Sequence, residues 1–296
     1  MIKFVNAKIN IGLNIVERRT DGYHNLETVF YPVGLECGLP HQPEAFDDIL
    51  EIVIKPSEPA GCRFQFMGRR IDCPPEKNLV VKATKEFIDA YSKIGFSPEE
   101  IGRIEINLDK HLPDGAGLGG GSADAAFTLI TLNELLEEPF SEFKLKTLAR
   151  RLGADCPFFI CNRPSFAEGI GEELTPIDVN LKGYEIIIVK PPIYISTKDA
   201  FSGIKPSRPD FDLRFLPLLP VEKWKDYVVN DFEKSLFPTF PGLALIKESL
   251  YKRGAVYASM TGSGSAIYGI FDDREKAMEA REHFKSNYSD VWLFGL

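Results

Sequence analysis

Apolar and polar positions change period several times along the chain, and each change marks an element. Residues 2–16 alternate loosely, as a strand does, and end in the polar turn Glu17-Arg18-Arg19-Thr20-Asp21-Gly22. Lys8 and Asn10 share one face of that strand, open to solvent or to a ligand, while Ala7, Ile9 and Ile11 share the other. The segment 46–72 reads as two or more antiparallel strands, 49–54 and 62–67, with Gly68 near a turn. Over 78–94 the period becomes helical: Leu79, Val80, Ala83, Phe87, Ala90, Tyr91 and Ile94 form one stripe, and Gly95 suits its end. A strand over 104–108 leads into a glycine-rich run, 115–121, and then an Ala/Leu-rich helix over 125–136. A second helix, 141–153, carries Leu145, Leu148, Ala149 and Leu152 on one face. After it, Cys156, Phe158, Phe159 and Ile160 predict the start of a partly buried strand. A continuous apolar strand over 184–189 is stopped by Pro191-Pro192, and a helix starts within 195–201. The proline-rich stretch 206–220 reads as an irregular surface segment. Helical character returns at 230–233 and 240–251. Strands 256–260 and 266–271 flank a second glycine cluster, Thr261-Gly262-Ser263-Gly264-Ser265, which reads as a tight hairpin or as a backbone cradle set against the first. A charged helix over 273–288 and a strand over 291–294 end the pattern.

The first glycine run is the centre of the candidate chemistry. A loop this bare fills no core, but its amides can approach a ligand closely, and the helix after it adds unsatisfied N–H groups and a positive dipole end. Phosphate is the natural guest. A flexible linker would mix glycine with serine in polar surroundings, whereas Ala116 and Leu118 are interleaved here. Ser122 stands where the helix is expected to start, suited to cap it or to hold a phosphate-bound metal ion. No lysine follows the glycines, which excludes the P-loop pattern. Gly115, Gly117 and Gly120 satisfy G-x-G-x-x-G, yet a second helix follows where a dinucleotide unit needs a parallel strand. The His-Arg-Asp and Asp-Phe-Gly elements of protein kinases are absent. Lys110, just before the loop, faces phosphate or water. Asp155, between a helix-ending glycine and a proline, is a local backbone cap or, beside a lysine, a carboxylate poised for proton transfer.

Composition narrows the classes. A length of 296 residues suits about two domains, and 26% charged with 44% hydrophobic residues suits a soluble globular chain. A net charge of −8 argues against broad nucleic-acid binding and leaves room for a local cleft that takes a small anion. Cys37, Cys62, Cys73, Cys156 and Cys161 are scattered in neither a disulfide framework nor a zinc pattern, so reduced thiols in a cytoplasm are expected. No signal-like or 18-residue apolar run occurs, so no membrane span is expected.

Three stretches taken together, Ala7-Lys8-Ile9-Asn10, Pro113 to Ala126 and Thr261 to Ala266, resemble the GHMP small-molecule kinases in order and over almost the whole length. Within that family, Asp21-Gly22-Tyr23-His24, Leu152-Gly153-Ala154-Asp155-Cys156-Pro157-Phe158-Phe159, Phe166-Ala167-Glu168-Gly169-Ile170-Gly171-Glu172 and Asn230-Asp231-Phe232-Glu233 are similar to members acting on a cytidine-diphosphate-linked methylerythritol. The Asp-Gly-Tyr-His element separates these from mevalonate, homoserine and galactose kinases.

The resemblance implies an α+β fold. A ribosomal-protein-S5-like N-terminal domain, 1–177, carries the ATP-phosphate loop, and a ferredoxin-like C-terminal domain is 178–296, with ATP and substrate meeting in the cleft. It implies transfer of the γ-phosphoryl of ATP, with Mg²⁺, to the substrate's 2-hydroxyl in non-mevalonate isoprenoid precursor synthesis. Asp155 is then the catalytic base and Lys8 its partner. Lys110, Pro113, Gly115, Gly117, Leu118, Gly119, Gly120, Gly121 and Ser122 would bind ATP, Ser122 also the metal. Asn10, Tyr23, His24, Phe30, Thr197 and Phe201 would bind substrate, with Tyr23, His24 and Phe201 on the cytosine. No nucleic-acid or membrane partner is implied, and the chain is expected as a monomer or weak homodimer. One departure stands out: Ala123 replaces the family's usual second serine. Two other readings remain, a family member acting on a different alcohol and a non-catalytic nucleotide-binding protein, the latter opposed by intact Lys8 and Asp155.

Overall fold

Most elements form where periodicity places them, over the residues that the computed structural model describes: 1–34, 46–70 and 73–296. The strands are β1 (Ile2–Val5), β2 (Ala7–Arg18), β3 (His24–Val33), β4 (Asp48–Lys55), β5 (Gly61–Gly68), β6 (Arg103–Lys110), β7 (Ser165–Glu168), β8 (Glu173–Pro176), β9 (Glu185–Lys190), β10 (Tyr257–Met260), β11 (Ile267–Phe271) and β12 (Asp290–Gly295). The helices are α1 (Leu79–Lys93), α2 (Pro98–Ile101), α3 (Gly120–Leu135), α4 (Glu142–Arg150), α5 (Cys156–Cys161), α6 (Thr197–Ser202), α7 (Trp224–Tyr227), α8 (Asp231–Leu236), α9 (Pro241–Lys252) and α10 (Arg274–Lys285). Contacts group the chain into two units interleaved in sequence, one of 1–7, 45–114 and 119–162, the other of 8–44, 115–118 and 163–296. The 1–177 and 178–296 division is one by chain order, and this grouping does not follow it.

In the first unit the sheet runs β1-β4-β6-β5. Ile104, Ile106 and Leu108 alternate with partly exposed neighbours, so one face is buried, and α1 and α3 supply the apolar cover. Helix α3 is apolar on nearly every side and packs on α1, α4, α5 and β4. Strands β4 and β5 form as expected but do not pair with each other. Strand β6 lies between them, antiparallel to β4 and parallel to β5. The helix α1 in the β5–β6 connection is the reason, since a crossover returns the chain in the same direction.

Two other expectations are corrected. The single strand over 2–16 breaks at Asn6, whose amide exchanges hydrogen bonds of 3.1 and 2.8 Å with the Asn162 amide. Residues 156–160 are helix α5 and not a strand start, because Pro157 in the first turn carries a helical φ and the apolar run is buried without alternation.

In the second unit one sheet runs β2-β3-β7-β8 and the other β10-β11-β9-β12, all neighbours in the latter antiparallel. With α9 before the β10–β11 hairpin and α10 after it, this is the split β-α-β-β-α-β order expected of the C-terminal part. Its core joins Ile187, Val189, Leu243, Leu250, Phe271 and Phe284, and Leu13 and Ile15 of β2 extend it. The proline-rich stretch is not wholly a surface segment. Asp212 caps a tight 3₁₀ turn, Leu213–Leu218, that buries Leu213 and Leu216. Gly12 makes room for it, since a Cβ there would lie 2.7 Å from Leu213 Cδ2.

Phe87, fully buried with its ring 5.1 Å edge-on from Phe140, tests the first core. Phe87→Ala is expected to lower unfolding free energy by about 3–5 kcal/mol in a denaturant titration. Phe143→Ala, at a side chain 81% exposed, should stay within about 0.5 kcal/mol.

Candidate active site

Lys8 and Asn10 lie on β2, and both are buried, Lys8 to 3% exposure, so the solvent-facing reading of this pair does not hold. Burial of an ammonium costs free energy unless its surroundings hold the charge. Lys8 Nζ donates to Asn10 Oδ1 at 2.7 Å and lies 4.9 Å from the centroid of the Phe30 ring. Asn10 is itself fixed: its side-chain amide donates to Thr28 Oγ1 at 3.0 Å, and its main-chain carbonyl accepts from the Tyr268 hydroxyl at 2.8 Å. Thr28 Oγ1 donates to Gly12 O and so accepts from the amide nitrogen, which leaves the amide oxygen for the lysine.

The glycine stretch 115–118 belongs to the same unit. Its carbonyls are turned into the protein: Leu118 O accepts from Lys8 N at 3.0 Å, Ala116 O from Ala266 N at 3.2 Å, and Gly117 O from Thr261 Oγ1 at 3.0 Å. Thr261 Oγ1 accepts in turn from Asn10 N at 3.1 Å. Gly117, at φ +76, is unavoidable, because a Cβ would come 2.0 Å from the Thr261 carbonyl oxygen. The second cluster joins a β10–β11 hairpin, as one reading has it, and packs backbone to backbone on the first. Gly115 and Gly119 are also left-handed, so positive φ recurs at every second position.

The motif at 230–233 carries a role that sequence reading did not assign. Asn230 Nδ2 donates to Met260 O at 2.8 Å and Gly262 O at 2.9 Å, while its Oδ1 caps α8. Glu233 accepts from Met260 N at 2.8 Å and Ser259 Oγ at 3.1 Å. Together they hold the second glycine turn. Asn before Asp-Phe-Glu signals a helix start, but partners 30 residues away leave no local trace.

In the other unit, α3 starts five residues earlier than expected, and Ser122 is not its cap. The cap is Gly119, in the left-handed region, and Ser122 lies inside the first turn. The Ser122 hydroxyl bonds the Cys156 thiol, which burial pushes up to about 12 and so keeps neutral. Ala123 is fully buried, so the serine it replaces would point away from solvent. Asp155 is the half-buried N-cap residue of α5, and its side chain makes no capping bond. Pro113 is half-buried. Lys110 is buried between Asp48 and Asp124, its Nζ 2.7 Å from Asp124 Oδ2.

Of the aromatic candidates, His24 and Phe201 stack at 4.8 Å, and Phe201 meets Phe232 edge-on at 4.9 Å. Burial lowers the His24 pKa, with Arg18 adding to it, which favours a neutral imidazole. Tyr23 is 60% exposed beyond the Asp21 turn, and Thr197 is exposed on the first turn of α6. Among the described residues no group of three or more His, Cys, Asp and Glu could hold a metal ion, and no helix is long and apolar enough to cross a membrane. Cys62, Cys73, Cys156 and Cys161 are free thiols, and Cys37 lies outside the described residues.

Two family descriptions match the chain, the GHMP kinases N terminal domain over residues 78–163 and the GHMP kinases C terminal domain over 221–290. The chain is 49% identical over 276 residues to a 4-diphosphocytidyl-2-C-methyl-D-erythritol kinase of Bacteroides fragilis strain YCH46, covering 93% of this chain and 94% of that protein. It is 44% identical over 296 residues to the enzyme of that name from Parabacteroides distasonis, covering 99% and 98%. A crystal structure of 4-(cytidine 5'-diphospho)-2C-methyl-D-erythritol kinase superposes with a TM-score of 0.80 at 29% identity, covering 99% of this chain and 98% of that one.

Gly117 is a tight position and Gly121 an open one. Gly117→Ala should cost about 1–3 kcal/mol and lower the melting temperature. At Gly121 a Cβ would meet nothing nearer than Leu79 Cδ1 at 4.0 Å, so Gly121→Ala should be neutral or stabilise α3 by roughly 0.5–1 kcal/mol.

Proposed function

The chain belongs to the GHMP kinases, in the branch of the 4-diphosphocytidyl-2-C-methyl-D-erythritol kinases, and on that premise we propose that Asp155 is its catalytic base and Lys8 the partner of that base. It is an ATP-dependent kinase that phosphorylates the methylerythritol intermediate of isoprenoid precursor synthesis. Phosphoryl transfer asks little covalent chemistry of a protein and much positioning and charge stabilisation. The oxygen of the acceptor 2-hydroxyl attacks the γ-phosphorus, its proton passes to Asp155, and the β–γ bridging bond breaks to release ADP. Lys8 favours the ionised form of the base and orients the attacking oxygen.

The observation that carries this reading is the seat of Lys8. Its backbone N–H bonds the Leu118 carbonyl of the glycine loop at 3.0 Å, and its ammonium is fixed by Asn10 at 2.7 Å. An ammonium oriented in this way supplies charge stabilisation to a transition state rich in negative charge.

On the nucleotide side, the amides of Gly115, Gly117, Leu118, Gly119, Gly120, Gly121 and Ser122 cradle the triphosphate beside Pro113. Because no acidic cluster is found among the described residues, the donor set fits a Mg²⁺ that arrives on the triphosphate, with Ser122 and water as further ligands. Bound there, the ion neutralises phosphate charge. On the substrate side Tyr23, His24 and Phe201 hold the cytosine, and Asn10, Phe30 and Thr197 line the rest. A neutral His24 offers one donor and one acceptor to the edge of the base. Residues 1–177 and 178–296 form the two domains of this reading, each containing one of the family matches. The enzyme works in the cytoplasm as a monomer or weak homodimer, without nucleic acid.

ADP release is measured with ATP and Mg²⁺ against the cytidyl substrate, mevalonate and homoserine. Turnover is expected with the cytidyl substrate alone, and activity confined to another alcohol would discard the cytosine slot. Asp155→Asn should lower kcat by about 100-fold or more with ATP affinity little changed, and a near-normal kcat would remove its role as base. Tyr23→Ala should raise the KM for the cytidyl substrate and leave that for ATP alone.

A further inference from the structure

Lys110 ends β6 and lies beneath the first turn of α3. Its ammonium donates to Asp48 Oδ2 and, at 2.7 Å, to Asp124 Oδ2, and none of the three side chains is more than 3% exposed. Asp48 Oδ1 accepts from His111 N at 2.6 Å and Leu112 N at 2.7 Å, so the same carboxylate fixes the backbone just after β6. Asp124 is on α3, and its Oδ1 is buried with no hydrogen-bond partner among the described residues. A Cβ on Gly120 would come 3.0 Å from Lys110 Nζ and 3.2 Å from Leu112 Cβ. The helix therefore starts directly over the ammonium, and a glycine at its first position lets it do so.

One ammonium and two carboxylates out of water are a costly choice, for apolar side chains of similar volume commonly give a more stable core. Such a cluster supplies short, charge-assisted bonds that fix one geometry. It also leaves Lys110 with nothing to offer a phosphate, because its enclosed ammonium already donates to both carboxyl groups. Burial pushes the Asp124 carboxyl up to about 7, a further mark of how tightly the cluster is enclosed.

We propose that Lys110 is a positioning residue and not a phosphate ligand: the Asp48–Lys110–Asp124 triad clamps the start of α3 to the end of β6 and so sets the amides of residues 119–122 for the triphosphate of ATP. This rests on the ATP reading of the glycine loop. It assigns the two carboxylates a part in nucleotide binding although neither touches the nucleotide.

The deciding variant is Asp124→Asn, which keeps the shape and one acceptor while removing a charge. Binding of ATP and of adenosine to the full-length protein is measured by calorimetry, together with KM for both substrates and hydrogen exchange at amides 120–123. The clamp predicts ATP binding weakened about tenfold or more, adenosine binding and acceptor KM within about twofold, and faster exchange at those amides. Were Lys110 a phosphate ligand, freeing it from one carboxylate would tighten ATP binding or leave it unchanged, and that result overturns the proposal. Asp48→Asn carries the same expectation and the same refutation should Asp124→Asn fail to fold. A wild-type protein that bound no ATP would strike the nucleotide reading alone. Exchange at amides 120–123 in Asp124→Asn would still decide the clamp, unchanged rates overturning it.

Discussion

The contact on which the glycine stretch 115–118 depends is one that no side chain can enter. Gly117 and the Thr261 carbonyl approach so closely that a single added carbon would sit 2.0 Å from oxygen. Backbone packed on backbone leaves polar groups that must be satisfied, and they are, through Thr261, Asn10 and Asn230. The same bonds turn three loop carbonyls inward. Lys8 is built into this arrangement through its own main chain, so loop and ammonium share a frame.

The two lysines of the site regions show how neighbours decide what a charge is for. Lys8 sits on an amide oxygen and an aromatic face, whereas Lys110 sits between two carboxylates. An amide and a ring orient the Lys8 ammonium, while two carboxylates tie Lys110 to the start of α3. Both lysines are equally buried, so burial alone does not tell which neighbours hold each of them.

A similar division runs through the polar residues around the second glycine turn. Asn230 and Glu233, at the start of one short helix, hold the main chain at Met260 and Gly262 and the Ser259 hydroxyl, and Asp231 accepts from Ile15 N at 2.8 Å.

The amino-acid sequence by itself determined the α+β class, nearly every strand and helix, the glycine run ahead of a helix, and the family through motifs spread over the chain. These are local matters, because hydrophobic period, glycine spacing and short motifs are written in neighbouring residues. Only the tertiary structure decided that β6 divides β4 from β5, that residues 156–161 coil into a helix, that α3 starts at Gly120, and that Lys110 is enclosed by Asp48 and Asp124. Each depends on partners far off in the chain: Asp48 lies 62 residues from Lys110, and Thr261 lies 144 from Gly117. Pairing, burial and the fate of a charge belong to the space around a residue, and a linear pattern holds no record of that space.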